Sequence, residues 1–311
     1  MSLLSPLSRI LRSFPPSRNK ARLGRIVTKM LIHGRMNSVA EVRLLDGSRM
    51  LLDARSRTES GAFWNGEHDR DDIDFFKVCM TMGNAVFDVG ANVGLIAIPL
   101  ARFLRDNGGG TLMAFEPVKA NFDRLVDAIH LNELDQIATA FNVALGDEEG
   151  EIEMALETRN KWQKGSLTGN AVIRKGMKEA SQYSISRARI ARLDAFAREN
   201  GIDRVDFIKV DIEGAELMFL RGGVDFLSRH RPIIYGEFNF PMMPQYNHTF
   251  LDVVDLIKPW RYRIFAFGGR LLPVEVLQPT IGIGNIFLVP EEKAVELLRR
   301  VEVARQKTAV K

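Results

Sequence analysis

The chain has one cysteine, Cys79, in 311 residues. One thiol can build neither a disulfide framework nor a cysteine-based zinc site, and a reducing compartment, the cytoplasm, fits. No run of about 20 uninterrupted apolar residues exists, so no membrane-spanning helix is expected. Acid is missing from positions 1–40, which hold eight Lys or Arg. The formal net charge of +4 therefore resides in that stretch and leaves the remainder net negative, which argues against a nucleic-acid-binding core. Prolines at 6, 15 and 16 work against a long amphipathic helix there. We expect residues 1–40 to form a mobile, solvated arm; loose attraction to an anionic membrane surface is the second reading. The five histidines, at 33, 68, 130, 230 and 248, lack metal-ligand spacing, and no metal is expected. His248 reads as simply exposed.

What is present is an ordinary globular balance, 46% hydrophobic and 26% charged. Asp46-Gly47 between two apolar runs predicts a hairpin over Glu41–Asp53. Seven apolar runs then read as strands: Ala85–Val89, Thr111–Phe115, Ile137–Leu145, Val205–Val210, Pro232–Phe238, Arg263–Phe267 and Asn285–Val289. Helical patterns separate most of them, among these Leu95–Leu104, Asn121–Ile129 and Ala215–Leu220. Strands alternating with helices mean βαβ units and a mostly parallel sheet. Such sheets bind ligands outside the carboxyl ends of their strands.

The first strand ends VFDVGANVG, carrying Asp88, Gly90, Ala91, Asn92 and Gly94. A dinucleotide fingerprint needs a glycine where Asn92 stands, so backbone cannot approach a pyrophosphate closely. Asp88 in that turn would repel phosphate and accept from an ammonium group, such as the amino-acid end of S-adenosylmethionine. The second strand ends AFEP. Glu116 lies 22 residues beyond Gly94, where a carboxylate can take both hydroxyls of a ribose, and Pro117 opens the next helix. The third runs into FNVALGD, where Asn142, or backbone near it such as Ala144, could read an adenine edge; a plain turn signal is an equal reading. The fourth ends FIKVDIEGAE. Asp211 and Glu213 at that mouth are costly to bury alone, and the reading is orientation or deprotonation of an acceptor hydroxyl, with Glu237 next in line as base. Glu216 reads as a helix-capping acid.

The segments VFDVGANVGLIA, AFEP, NVALGDEEGEIE and VDFIKVDIEGAELMFLRGG resemble the FkbM-type methyltransferases over roughly residues 80 to 240. The resemblance implies a Rossmann-like α/β fold of class I methyltransferases, a seven-stranded mostly parallel sheet with its final strand antiparallel and helices on both faces. It implies S-adenosylmethionine as cofactor at Asp88, Gly90, Asn92, Gly94 and Glu116, with Asp211 and Glu213 at the catalytic mouth. It suggests O-methylation of a sugar, glycan or secondary metabolite. Gly165-Ser166-Leu167 and Arg192-Leu193-Asp194 look like further family positions. The chain then divides into the arm (1–40), a hairpin and helix leading into the core (41–80), the methyltransferase domain (81–290) and a C-terminal helix (291–311). A basic insertion, residues 158–192, holds nine Lys or Arg and one acid, Glu179. It reads either as a solvated loop or as a lid drawing an anionic acceptor. An NAD-dependent oxidoreductase and a non-catalytic protein that kept the fold are the alternatives.

Overall fold

The computed structural model describes residues 10–12, 18–32, 38–56, 58–81, 83–157, 171–174, 183–267, 271–273 and 283–309. The expected hairpin forms from β1 (Val39–Arg43) and β2 (Arg49–Asp53), antiparallel across Asp46-Gly47. Beyond it, eight strands make the main sheet: β3 (Ala85–Val89), β4 (Thr111–Phe115), β5 (Ala138–Phe141), β10 (Phe207–Val210), β11 (Ile233–Asn239), β12 (Tyr262–Phe267), β13 (Leu271–Pro273) and β14 (Ile283–Pro290). Their spatial order is β13-β12-β14-β11-β10-β3-β4-β5. The run from β11 to β5 is parallel, and β14 is antiparallel to both its neighbours. The architecture is thus the expected Rossmann-like one. The eighth strand is β13, which the sequence reading omits; three residues, Leu271–Pro273, are too few to show a period of their own and are held by pairing with β12.

Helices cover both faces because each carries one apolar stripe. On one face, α3 (Arg70–Cys79), α4 (Ala97–Asp106), α5 (Lys119–Leu131) and α10 (Glu291–Ala309) bury Phe76, Leu100, Leu125 and Leu297 against the sheet. On the other, α6 (Leu193–Glu199), α7 (Glu216–Gly222), α8 (Val224–His230) and α9 (Phe250–Ile257) bury Phe196, Leu217, Phe226 and Val253.

The structure departs from the sequence reading at three further places. Ile137–Leu145 is not one strand: after Phe141 the chain leaves the main sheet, and β6 (Ala144–Gly146) joins a second, four-stranded sheet. Asn142 stands at this break, its side-chain amide donating to the carbonyls of Glu116 (2.8 Å) and Pro117 (3.0 Å). The second sheet is completed by β7 (Gly150–Glu157), β8 (Ala171–Ile173) and β9 (Tyr183–Arg192). Two pieces of the basic insertion are therefore strands; positions 158–170 and 175–182, Gly165-Ser166-Leu167 among them, lie outside the described residues. Finally, Arg18–Ile32 in the arm is a helix, α1. It starts beyond Pro15-Pro16, and no proline interrupts it. It packs on α2 (Glu59–Asn65), where Trp64 Nε1 donates to Thr28 Oγ1 at 3.2 Å; ahead of α1, Arg12 also donates to Phe63 O at 2.8 Å.

The segment ahead of the main sheet packs α3 on one face of the sheet and reaches the carboxyl ends of the strands through Thr58, His68 and Asp69. The Phe76 ring lies 5.6 Å from Phe207 and 4.6 Å from Tyr235, on β10 and β11. Such aromatic pairs each add about 0.5–1.5 kcal/mol beyond their area burial. Their packing sets the start of α3, and the turn before it, beside the ends of β10 and β11.

Candidate active site

A cleft of about 260 Å³ opens at the carboxyl ends of β3, β4, β10 and β11. Period-two alternation decides which side chains meet there. Asp88 on β3 is in register with Lys209 on β10, and Lys209 with Tyr235 on β11, so all three project from one face of the sheet. Two residues beyond Lys209 and Tyr235, Asp211 and Glu237 line the cleft together with Lys209.

Lys209 is the site residue that the sequence reading missed, taking it as part of an unbroken buried strand. It is buried, with Nζ 3.2 Å from Asp88 Oδ1, 3.6 Å from Asp211 Oδ2 and donating to Gly90 O at 3.2 Å. Burial works against its ammonium, but Asp88 and Asp211 outweigh it and hold the pKa above the usual lysine range. The missed signal was a lysine inside a buried strand, which demands a carboxylate on its own face. Asp88 is 0% exposed and stands behind the cleft wall. It faces Lys209, whereas the sequence reading had it accept from a ligand ammonium, directly or through water. Gly90 turns sharply (φ 81°), and a Cβ there would lie 2.1 Å from the Asp211 carbonyl oxygen; the first turn thus rests on the end of the fourth parallel strand.

Glu116 ties the first two turns together. Its Oε2 accepts from the Asn92 backbone at 2.9 Å, and its Oε1 accepts from Val118 N at 2.9 Å and from Asn121 Nδ2 at 3.3 Å. Burial, opposed by those donors, pushes its carboxyl up to about 7. Beside it, Asn92 Oδ1 and Asn121 Oδ1 are buried acceptors with no protein partner. Pro117, Val143, Ala144, Leu145 and Met154 continue the wall on that side; Gly94, which is buried, and Asn142, which is exposed, are not part of it. The insertion reaches the cleft through Ala171 and Ile173. Of its described cations, Arg174 pairs with Glu153 (2.6 Å) and Arg189 with Glu199 (3.0 Å).

The opposite rim is acidic. Asp211, Glu213 and Glu237 all line it. Burial, with Asp211 and Glu213 close by, pushes the Glu237 carboxyl up to about 7. Glu213 sits in the left-handed region (φ 56°) and accepts from Asn239 Nδ2 at 3.1 Å. Glu216 turns away from the cleft wall and accepts from Gly214 N at 3.0 Å and Ile212 N at 3.3 Å, a cap of the turn as its sequence position suggests. His248 is buried, not exposed, with Nε2 2.9 Å from Gly214 O. Thr58, His68 and Asp69, all outside the sequence-derived site, close the cleft from the segment before the sheet. Nothing in their local sequence marks them, because only the packing of α2 and α3 brings them to the strand ends.

Residues 88–264 match the Methyltransferase FkbM domain. The chain is 29% identical over 164 residues to the 2-O-methyltransferase NoeI of Sinorhizobium fredii, a match covering 50% of this chain and 63% of that protein. It is 27% identical over 156 residues to Methyltransferase sdnD of Sordaria araneosa, covering 44% and 59%. The matches thus span less than two thirds of either relative. Among solved structures, Methyltransferase FkbM from Methylobacillus flagellatus aligns with 16% identity and a TM-score of 0.41, over 66% of this chain and 43% of that one. With the domain match spanning more than half of the sequence, on a class I methyltransferase fold whose cleft sits where that fold binds its ligands, the chain belongs to the FkbM methyltransferase family.

Proposed function

We propose that the protein uses S-adenosylmethionine to methylate a hydroxyl group of a sugar, glycan or secondary metabolite. One observation carries the reading: a single cleft joins a buried strand-end carboxylate, Glu116, to an acidic rim of Asp211, Glu213 and Glu237. The first suits a ribose and the second an acceptor hydroxyl. The residues present fit this cofactor. The unpartnered acceptors of Asn92 and Asn121 flank Glu116, as a diol's two donors require. Val143, Leu145 and Met154 offer an apolar wall to a flat base. Lys209 is the one Lys or Arg among the described wall residues, and Asp88 and Asp211 already engage it, so a pyrophosphate finds no counter-charge.

S-adenosylmethionine supplies an electrophilic sulfonium methyl group. The chain's part is to orient the acceptor and receive its proton. Glu237 suits the second task, since a base working at neutral pH needs a pKa near 7. Asp211, already facing Lys209, suits the first. Orientation alone can supply roughly 7–11 kcal/mol of the barrier. The O-methyl reading is also in keeping with the relative named a 2-O-methyltransferase. Calorimetric titration with S-adenosylhomocysteine and, separately, with NAD tests it. Binding of the first alone is expected; binding of NAD, or of neither, overturns the cofactor reading.

A further inference from the structure

A second cavity, of about 250 Å³, adjoins the first and shares two wall residues with it, His68 and Leu95. Apart from Leu95 and Pro99, its walls come from residues 44–77, ahead of residue 88 where the family match begins. The family domain builds the cofactor cleft, and a segment outside that domain builds the chamber next to it. We propose that this second cavity is the acceptor subsite, that it takes a neutral polyhydroxylated ring, and that His68, held by Asp69, hydrogen-bonds that ring at the passage between the two cavities. The assignment rests on the O-methyltransferase reading above.

The turn at the passage is strained in a way that capping does not explain. Asp69 occupies the N-cap position of α3, yet it lies in the left-handed region (φ 36°) and makes no capping bond. Its Oδ2 lies instead 3.1 Å from His68 Nε2. Strain of this kind persists where the surroundings impose it, and it gathers at functional sites. A carboxylate only accepts, so Asp69 standing at the Nε2 end of the ring favours the imidazole proton on that nitrogen and leaves Nδ1 as an acceptor for a hydroxyl. Burial pushes the imidazole below its ordinary value against the pull of Asp69, which favours the neutral form this role needs.

The walls fit a hydroxylated ring better than an anion. Leu44, Ile73 and Pro99 give an apolar surface. Most of the charged groups pair with one another, Lys77 with Asp74 at 2.9 Å and Arg70 with Asp74 and Glu67 at 3.7 and 3.8 Å, and the Asp46 carboxylate accepts from Ser48. Donors and acceptors stand side by side, as neighbouring hydroxyls require, and there is no surplus of positive charge to draw an anion.

Saturation-transfer NMR on the full chain loaded with S-adenosylhomocysteine tests the assignment. The probes are the methyl α-D-glycosides of glucose, mannose and galactose, with glucuronate as the anionic control. Transfer to at least one neutral glycoside is expected, stronger than to glucuronate. It should vanish in Leu45→Trp, a substitution at a 51% exposed position that fills the cavity mouth, and in the deeper Ile73→Trp. Asp69→Asn keeps a residue tolerant of the left-handed region, yet should lower the titration midpoint of His68 and weaken the glycoside by about fivefold. Affinity for S-adenosylhomocysteine, measured alongside, should stay level in Leu45→Trp, which lies outside the cofactor cleft. The proposal is overturned if no neutral glycoside is saturated in the wild type, if the signal survives in Leu45→Trp, or if glucuronate is preferred. Loss of S-adenosylhomocysteine binding in the wild type would instead overturn the cofactor reading, leaving the glycoside result to stand separately.

Discussion

Lys209 neutralises a carboxylate that the fold buries completely, and this has a measurable consequence. Lys209→Met leaves Asp88 without its counter-charge and is expected to cost about 3–5 kcal/mol in urea unfolding. Asp88→Asn added to Lys209→Met removes the buried charge and should restore most of that loss. If the double variant is no more stable than Lys209→Met alone, the pair is not coupled as described. Glu116 gives a second prediction. Its carboxyl titrates at about 7, and only the ionised form accepts from both hydroxyls of a diol. Affinity for S-adenosylhomocysteine should therefore weaken as pH falls through about 7. Glu116→Gln should bind roughly ten- to a hundredfold more weakly and lose that pH dependence. At the acidic rim, Glu237→Gln should slow methyl transfer by roughly 10²- to 10⁴-fold with cofactor affinity unchanged. In the wild type, single-turnover rates should fall on the acid side of about 7, where Glu237 is protonated. A profile unmoved by the substitution would assign the proton to another group.

Among the elements, α3 and the turn after β10 do most to place site residues. Phe76 fixes α3 against β10 and β11, so Phe76→Ala should cost about 3–5 kcal/mol. Phe76→Leu, which keeps much of the volume, should be milder in stability. It should still raise the apparent Michaelis constant for the acceptor more than that for the cofactor, because the turn ahead of α3 moves with the helix. Equal effects on both would show that α3 supports the sheet as a whole. The turn after β10 has little tolerance. Gly214 lies at φ 98°, and a Cβ there would come within 2.7 Å of Met242 Cβ. Gly214→Ala should destabilise the protein by about 1 kcal/mol or more and shift Glu213 at the rim. These placements were only partly legible beforehand. The strands that place Glu116, Asp211 and Glu237 could be read, because apolar runs of five to seven residues are local features. The second sheet was missed although the start of β7 alternates, with Glu151 and Glu153 exposed and Ile152 and Met154 buried. That period-two signal lay beside a charge-rich stretch that reads as loop.

At the scale of the whole molecule, several buried acids share one direction of shift. Glu116, Glu216 and Glu237 are pushed up to about 7, 8 and 7, chiefly by burial. An acid whose pKa is higher in the folded than in the unfolded chain binds more protons when folded, so its contribution to stability falls as pH rises through that interval. The urea midpoint should decline between about pH 5 and 8 from these groups. Glu216→Gln, which keeps an acceptor oxygen for Gly214 and Ile212, should make the decline shallower. A midpoint that rises over this range would mean that other groups dominate the linkage. The sequence by itself determined the alternation of strands and helices, the glycine turn without a pyrophosphate signature, and the order of the acidic strand ends. Each of these is written in neighbouring residues through backbone preference, apolar period and turn chemistry. Only the tertiary structure decided that Asp88 meets Lys209, 121 positions away, and that His68 and Asp69 reach the mouth from ahead of the domain. It alone set part of the basic insertion as strands with paired cations. The physical reason is that register between distant strands, and the burial that pairs charges, arise from long-range packing that leaves no local period in the chain.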